Sequence, residues 1–155
     1  MHVTRVSVAI VSVAWCVLSA QAQSFEFSGL SSATTITELK KKYPRSTFVD
    51  ALVYLSNEES HDGISTIGLA KDDRGATLTI MFERQGQKPM YPLCEKLVAK
   101  LKNGYGNPLN VIDSQEERAQ NRRFEWKNGT GSMTLSCFAM PRQPSYAERL
   151  TITSR

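Results

Sequence analysis

Ser60, His61 and Asp62 bring together the residue types of a hydrolase triad, with Asn57, Glu58 and Glu59 just before them. Neighbours in sequence do not form that relay, because nucleophile, base and orienting acid must converge from separate elements of a fold. The same stretch offers several oxygen ligands, yet it lacks the spacing of a calcium loop and is joined by no second histidine after residue 22. Asp72 with Asp73, and Glu116 with Glu117, pair carboxylates in polar, turn-like stretches where solvation leaves nothing to tune them for acid–base work. No glycine-rich phosphate loop, zinc-type cysteine pair or cofactor fingerprint occurs, so neither cofactor nor metal is expected.

Arg122-Arg123-Phe124-Glu125-Trp126-Lys127 mixes bases with aromatics, as surfaces for single-stranded nucleic acid do. Strand alternation gives the simpler account: Phe124 and Trp126 face a core while Arg123, Glu125 and Lys127 face outward. Asn128-Gly129-Thr130 has the form of a glycosylation acceptor but coincides with a hairpin turn. A formal charge of +4, with acids and bases interspersed, is far below the footprint of a nucleic-acid binder.

Residues 1–22 determine how the cysteines are read. Arg5 precedes an apolar run from Val6 to Leu18, 13 residues long, and Ser19-Ala20-Gln21-Ala22 follows. This is the pattern of a secretory signal peptide cleaved after Ala22, and the run is too short to span a bilayer. Cys16 follows the bulky Trp15 inside the apolar core, unlike a lipidated cysteine. The domain is therefore 23–155, its formal charge falls from +4 to +3 with the loss of Arg5, and a periplasmic or secreted location is expected. Cys94 and Cys137 remain, and an even pair in an oxidising compartment predicts a disulfide.

The elements that must position these residues follow from local chemistry. Thr35-Ile36-Thr37-Glu38 is a capping box that opens a short helix, with Ile36, Leu39 and Tyr43 on one face, a solvated lysine run at 40–42, and Pro44 as the stop. Thr47 to Leu55 reads as one strand, followed by a polar turn from Asn57 to Gly63. Ile64 to Leu69 and Thr77 to Phe82 form a hairpin around Asp72-Asp73-Arg74-Gly75, with Leu78, Ile80 and Phe82 facing the core. After a loop from Gly86 to Pro89, Pro92 opens a second helix that buries Cys94, Leu97, Val98 and Leu101 and ends at Gly104 or Gly106. Leu109 to Ile112 and Arg123 to Trp126 are strands, and Ser114 to Asn121 is ambiguous. Met133, Leu135 and Cys137 share one face of the next strand, so the disulfide clamps the second helix to the sheet. A Pro-rich loop from Pro141 to Pro144 precedes a last strand, Arg149 to Thr153.

The fold class is α+β, two short helices on an antiparallel sheet. Glu38 to Pro44 leading to Phe48-Val49-Asp50 echoes Lys100 to Gly106 leading to Val111-Ile112-Asp113. The echo is either a degenerate tandem helix-plus-sheet repeat or two helices that end alike.

The leader, the helix ending Tyr105-Gly106-Asn107-Pro108, the Trp126 strand with its Asn128-Gly129 turn, and the closing Glu148-Arg149-Leu150-Thr151-Ile152 resemble small exported bacterial proteins. Their architecture is that of the β-lactamase-inhibitor protein and the small outer-membrane assembly lipoproteins. The resemblance implies a non-enzymatic role, as an accessory protein of the cell envelope or an enzyme inhibitor, whose partner is another envelope or secreted protein. Recognition is expected from loops, for which Asn57, Glu58, Glu59, His61, Asp62, Arg142 and Tyr146 are the candidates. The alternative is an envelope-polymer hydrolase that uses His61 and nearby carboxylates. A weak association of the lysines with anionic surfaces is a third reading.

Overall fold

The computed structural model describes residues 23–61, 63–73, 75–85, 91–116, 119–139 and 145–154. A small hairpin of β1 (Glu26–Phe27) and β2 (Leu30–Ser31) comes first. Helix α1 (Ile36–Lys42) then leads into β3 (Thr47–Val49), β4 (Leu52–Tyr54), β5 (Ile64–Asp72) and β6 (Gly75–Gln85). Helix α2 (Tyr91–Tyr105) leads into β7 (Asn110–Glu116), β8 (Ala119–Asn128), β9 (Gly131–Ala139) and β10 (Ser145–Ser154). Strands β3 to β10 make one eight-stranded antiparallel sheet in the order β3-β4-β5-β6-β10-β9-β8-β7. A helix followed by a four-strand meander thus occurs twice, and the meanders meet through their last strands, β6 and β10. Two helices and an antiparallel sheet make the α+β class expected from the sequence.

Both helices end as their sequences dictate. Thr35 accepts the amide hydrogen of Glu38 through its hydroxyl at 3.2 Å, and the Glu38 carboxylate accepts the Thr35 amide hydrogen at 2.7 Å, completing the capping box. At the end of α2, Gly106 takes φ of 77° and donates its N–H to the Lys102 carbonyl at 2.9 Å, a left-handed cap that suits glycine. The indole N–H of buried Trp126 donates to the Gly106 carbonyl at 2.9 Å and so ties this helix end to β8.

Register carries one apolar row across the whole sheet: Phe48, Val53, Ile67, Ile80, Leu150, Leu135, Phe124 and Val111 are successive partners. Because side chains alternate between faces, this row and the rows two residues to either side of it form one side of the core. The core takes Leu39 and Tyr43 at the end of α1 and Cys94, Leu97, Val98 and Leu101 from α2. Cys94 and Cys137, both buried, form the expected disulfide between α2 and β9.

The structure departs from the sequence reading at several elements. Thr47 to Leu55 is two strands rather than one, because the chain reverses at Asp50 and Ala51, with Asp50 at φ of 50°, a conformation that aspartate tolerates. Within the ambiguous Ser114 to Asn121, residues 114–116 belong to β7 and residues 119–121 to β8, paired with each other, and polar residues are compatible with that pairing because β7 is an edge strand. The strands at Arg123 and Arg149 begin earlier than their apolar residues suggest, at Ala119 and Ser145. The β1–β2 hairpin, turned by Ser28 and Gly29 at positive φ, had no expectation at all. Its Phe27 meets Phe82 edge-on with ring centres 5.6 Å apart, and Phe25 meets Tyr105 at 5.1 Å. The expected leader 1–22 and the expected loops from Gly86 to Pro89 and from Pro141 to Pro144 lie outside the described residues.

Candidate functional site

The loop before β5 is used by the fold. Glu59 accepts the Arg45 amide hydrogen at 2.9 Å and the Ser46 hydroxyl hydrogen at 2.5 Å, and Glu58 pairs with the Arg45 guanidinium. The Ser46 hydroxyl oxygen in turn accepts the Ser56 amide hydrogen at 3.2 Å. These contacts fasten the turn after α1 to the turn before β5. Burial raises the Tyr43 phenol above its ordinary range, and the charge of Glu59 pushes in the same direction. The Ser60 hydroxyl donates to the Ile64 carbonyl at 2.7 Å, so its proton is committed to a turn rather than to an imidazole. Asn57 and His61 are exposed at this turn.

Tyr146 sits in β10 opposite Arg84 of β6 and Ala139 of β9. Ile64 pairs with Phe82, and Phe82 with Glu148, so the loop before β5 and the start of β10 lie at the same end of the sheet. Asp62 and Arg142 lie outside the described residues. Among the described residues no cluster of three or more His, Cys, Asp and Glu side chains can hold a metal, and no helix is long and apolar enough to cross a membrane.

The lysine run is less free than a solvated face. Lys42 donates to the Ser28 carbonyl at 2.6 Å and Lys40 lies over the Phe48 ring, 5.6 Å from its centre.

The face of the sheet opposite the helices is the larger candidate. One row across it runs Val49, Leu52, Gly68, Thr79, Thr151, Thr134, Glu125, Asn110, and the next runs Thr47, Tyr54, Thr66, Met81, Arg149, Ser136, Arg123, Ile112. Hydroxyl side chains occupy its centre, where β-branched threonine suits a pleated surface. Apolar groups mark its two margins: Val49, Leu52 and Tyr54 are 49%, 41% and 46% exposed on one side, and Ile112 is 38% exposed on the other. Leu52 reaches across Gly68, where a Cβ would stand 3.1 Å from its Cδ2, so the glycine leaves the room in which this leucine lies. Arg149, exposed, stacks its guanidinium over Phe138 with 5.6 Å to the ring centre and places Nε 3.3 Å from the Met81 sulfur. An arginine held on an aromatic and a methionine is composition enriched at protein interfaces.

Loop-centred expectations drew attention away from this face, since its members are scattered along the chain as single residues between core positions. The signal lay in the outward half of each alternating strand. No family model, curated protein or solved structure matches this chain.

Proposed function

We propose that this chain is an exported, non-enzymatic protein that binds another envelope or secreted protein, as an accessory factor or an enzyme inhibitor, through the helix-free face of its sheet. The observation that carries the reading is one-sidedness. The helix side chains that enter the core, the disulfide and the β1–β2 hairpin contacts all engage the same side of the sheet. The opposite side, eight strands wide, carries exposed Tyr54, Leu52, Ile112 and Arg149 around a hydroxyl centre. A face with apolar margins and a stacked arginine has the chemistry of a protein contact rather than of a small-molecule cleft.

Export is supported by the leader pattern and by a disulfide that an oxidising compartment maintains. The likeness to β-lactamase-inhibitor-type and outer-membrane assembly proteins points the same way. The helix-plus-meander order, taken twice, supports the tandem-repeat reading of the echo around Tyr43 and Tyr105.

Site-specific photocrosslinking in cells tests the proposal. A photoreactive phenylalanine analogue at Tyr54 or Thr151 should capture one discrete protein outside the cytoplasm, while the same analogue at Lys41 or Glu95, exposed on the helices, should not. Equal capture from both sides, or none from the open face, rejects it.

A further inference from the structure

Cleavage after Ala22 leaves glutamine at the new amino terminus, and we propose that Gln23 is a modification site, closed to pyroglutamate in the mature protein. The inference rests on the leader reading above. Gln23 is held in the fold: its carbonyl accepts from Asn128 Nδ2 at 2.7 Å, with Thr130 Oγ1 3.5 Å away. Two residues on, Phe25 is buried against Tyr105. The fold therefore grips residue 23 by its backbone carbonyl alone among these contacts, and ring closure leaves that carbonyl untouched.

The chemistry needs no partner. The neutral α-amine attacks Cδ of its own side-chain carboxamide; a new N–Cδ bond forms, the bond from Cδ to the amide nitrogen breaks, and that nitrogen takes the amine proton and leaves as ammonia. Oxidation states are unchanged. The α-amino group has an ordinary pKa of about 7.7–8.0, so a useful fraction is unprotonated near neutral pH. Attack within one residue has the advantage of an intramolecular reaction. Gln23 is exposed, so both reacting groups lie on a residue open to water.

Cyclisation replaces the α-ammonium of the new terminus with a neutral lactam. The consequence is a terminus closed to aminopeptidases, which would otherwise reach the core residue Phe25 after two cuts.

The full chain, produced with its own leader and recovered from outside the cytoplasm, provides the test by mass spectrometry of its amino-terminal peptide. The expected peptide begins at residue 23, is lighter than encoded by one ammonia, resists amine-labelling reagents and is opened by a pyroglutamyl peptidase. The Gln23→Ala variant should begin at the same residue and label fully. A peptide that begins with unmodified Gln23 and stays reactive after prolonged incubation at neutral pH overturns the modification while preserving the leader reading. A peptide beginning at Met1 or at another residue overturns both.

Discussion

The Tyr105 hydroxyl accepts the Glu26 amide hydrogen and donates to the Glu26 carbonyl, each at 2.8 Å. The end of α2 thus supplies β1 with both hydrogen bonds that a neighbouring strand would give. Lys100 of the same helix lies over the Phe27 ring at 4.5 Å, and Lys42 of α1 holds the Ser28 carbonyl, so the amino-terminal hairpin links the two helices. Tyr105→Phe keeps the ring against Phe25 but removes both bonds. It should lower stability by about 1 kcal/mol, at the modest end because the Glu26 backbone is exposed and water replaces the partner. Urea unfolding checks this, and an unchanged midpoint would show the hairpin to be energetically uncoupled.

Cys94 and Cys137 are 43 residues apart in sequence and join α2 to the middle of the second meander. In the chain-entropy account, closing such a loop contributes about 4 kcal/mol. The double variant Cys94→Ala, Cys137→Ala should therefore unfold at markedly lower urea, and wild type under reducing conditions should approach it. A midpoint that reductant leaves unchanged in a chain with both thiols demonstrably free rejects this assignment of stability.

Much of this arrangement is legible in the chain because it depends on local chemistry. The capping box at Thr35, the alternation of Leu78, Ile80 and Phe82, and the core-facing spacing of Cys94 and Cys137 each dictate a conformation or a face without reference to distant residues. The break at Asp50 was hidden because its neighbours Val49 and Leu52 are good strand formers, and only the φ of 50° at a residue that tolerates it makes the turn. The extension of β7 to Glu116 was hidden for the opposite reason: an edge strand open to water has no apolar pattern to display. Glu58 and Glu59 looked like free loop carboxylates, and only tertiary structure brings Arg45 and Ser46 to them. The open face was harder still, since it exists only once the register of eight strands aligns outward residues from both halves.

Hydrogen bonds from Thr35, first from its backbone amide and then from its hydroxyl, hold the Glu38 carboxyl below its ordinary value of 4.5. A carboxyl depressed on folding stabilises the structure above its unfolded pKa, and the contribution disappears as pH falls through the folded value. The start of α1 should accordingly fray on acidification below about pH 4.5. NMR titration of the Glu38 carboxyl carbon should give a midpoint below that of a free glutamate, and Thr35→Ala should move it back up. An unshifted midpoint in wild type rules the box out as an electrostatic cap.

Gly131 begins β9 where the β10 backbone passes very close. A Cβ built there would lie 2.0 Å from the Thr153 carbonyl oxygen, and that oxygen belongs to backbone that cannot step aside alone. Gly131→Ala should therefore force the β9–β10 pair apart and destabilise by about 1–3 kcal/mol, the range for overpacking. Gly104, with open space around it, is the control: Gly104→Ala lies within α2 and should stabilise by about 0.5–1 kcal/mol. Thermal melts of the two variants should move in opposite directions.

Arg149 separates recognition from folding on the open face. Its neighbours across the strands are Met81 and Ser136, and its guanidinium lies over Phe138, so the side chain is pre-oriented while remaining exposed. An arginine held in this way loses little freedom when a partner carboxylate binds, which is the economy that makes such residues dominate interfaces. Arg149→Ala should reduce capture by the photoreactive Tyr54 or Thr151 positions at least tenfold, the effect of about 1.4 kcal/mol. Stability should change by no more than about 0.5 kcal/mol, as for other exposed positions. Arg149→Lys should recover only part of the binding, since lysine keeps the charge but neither stacks as a plane nor offers two parallel donors. If instead the lysine variant binds fully, the site reads charge alone; if the alanine variant binds fully, the contact does not pass through the centre of this face.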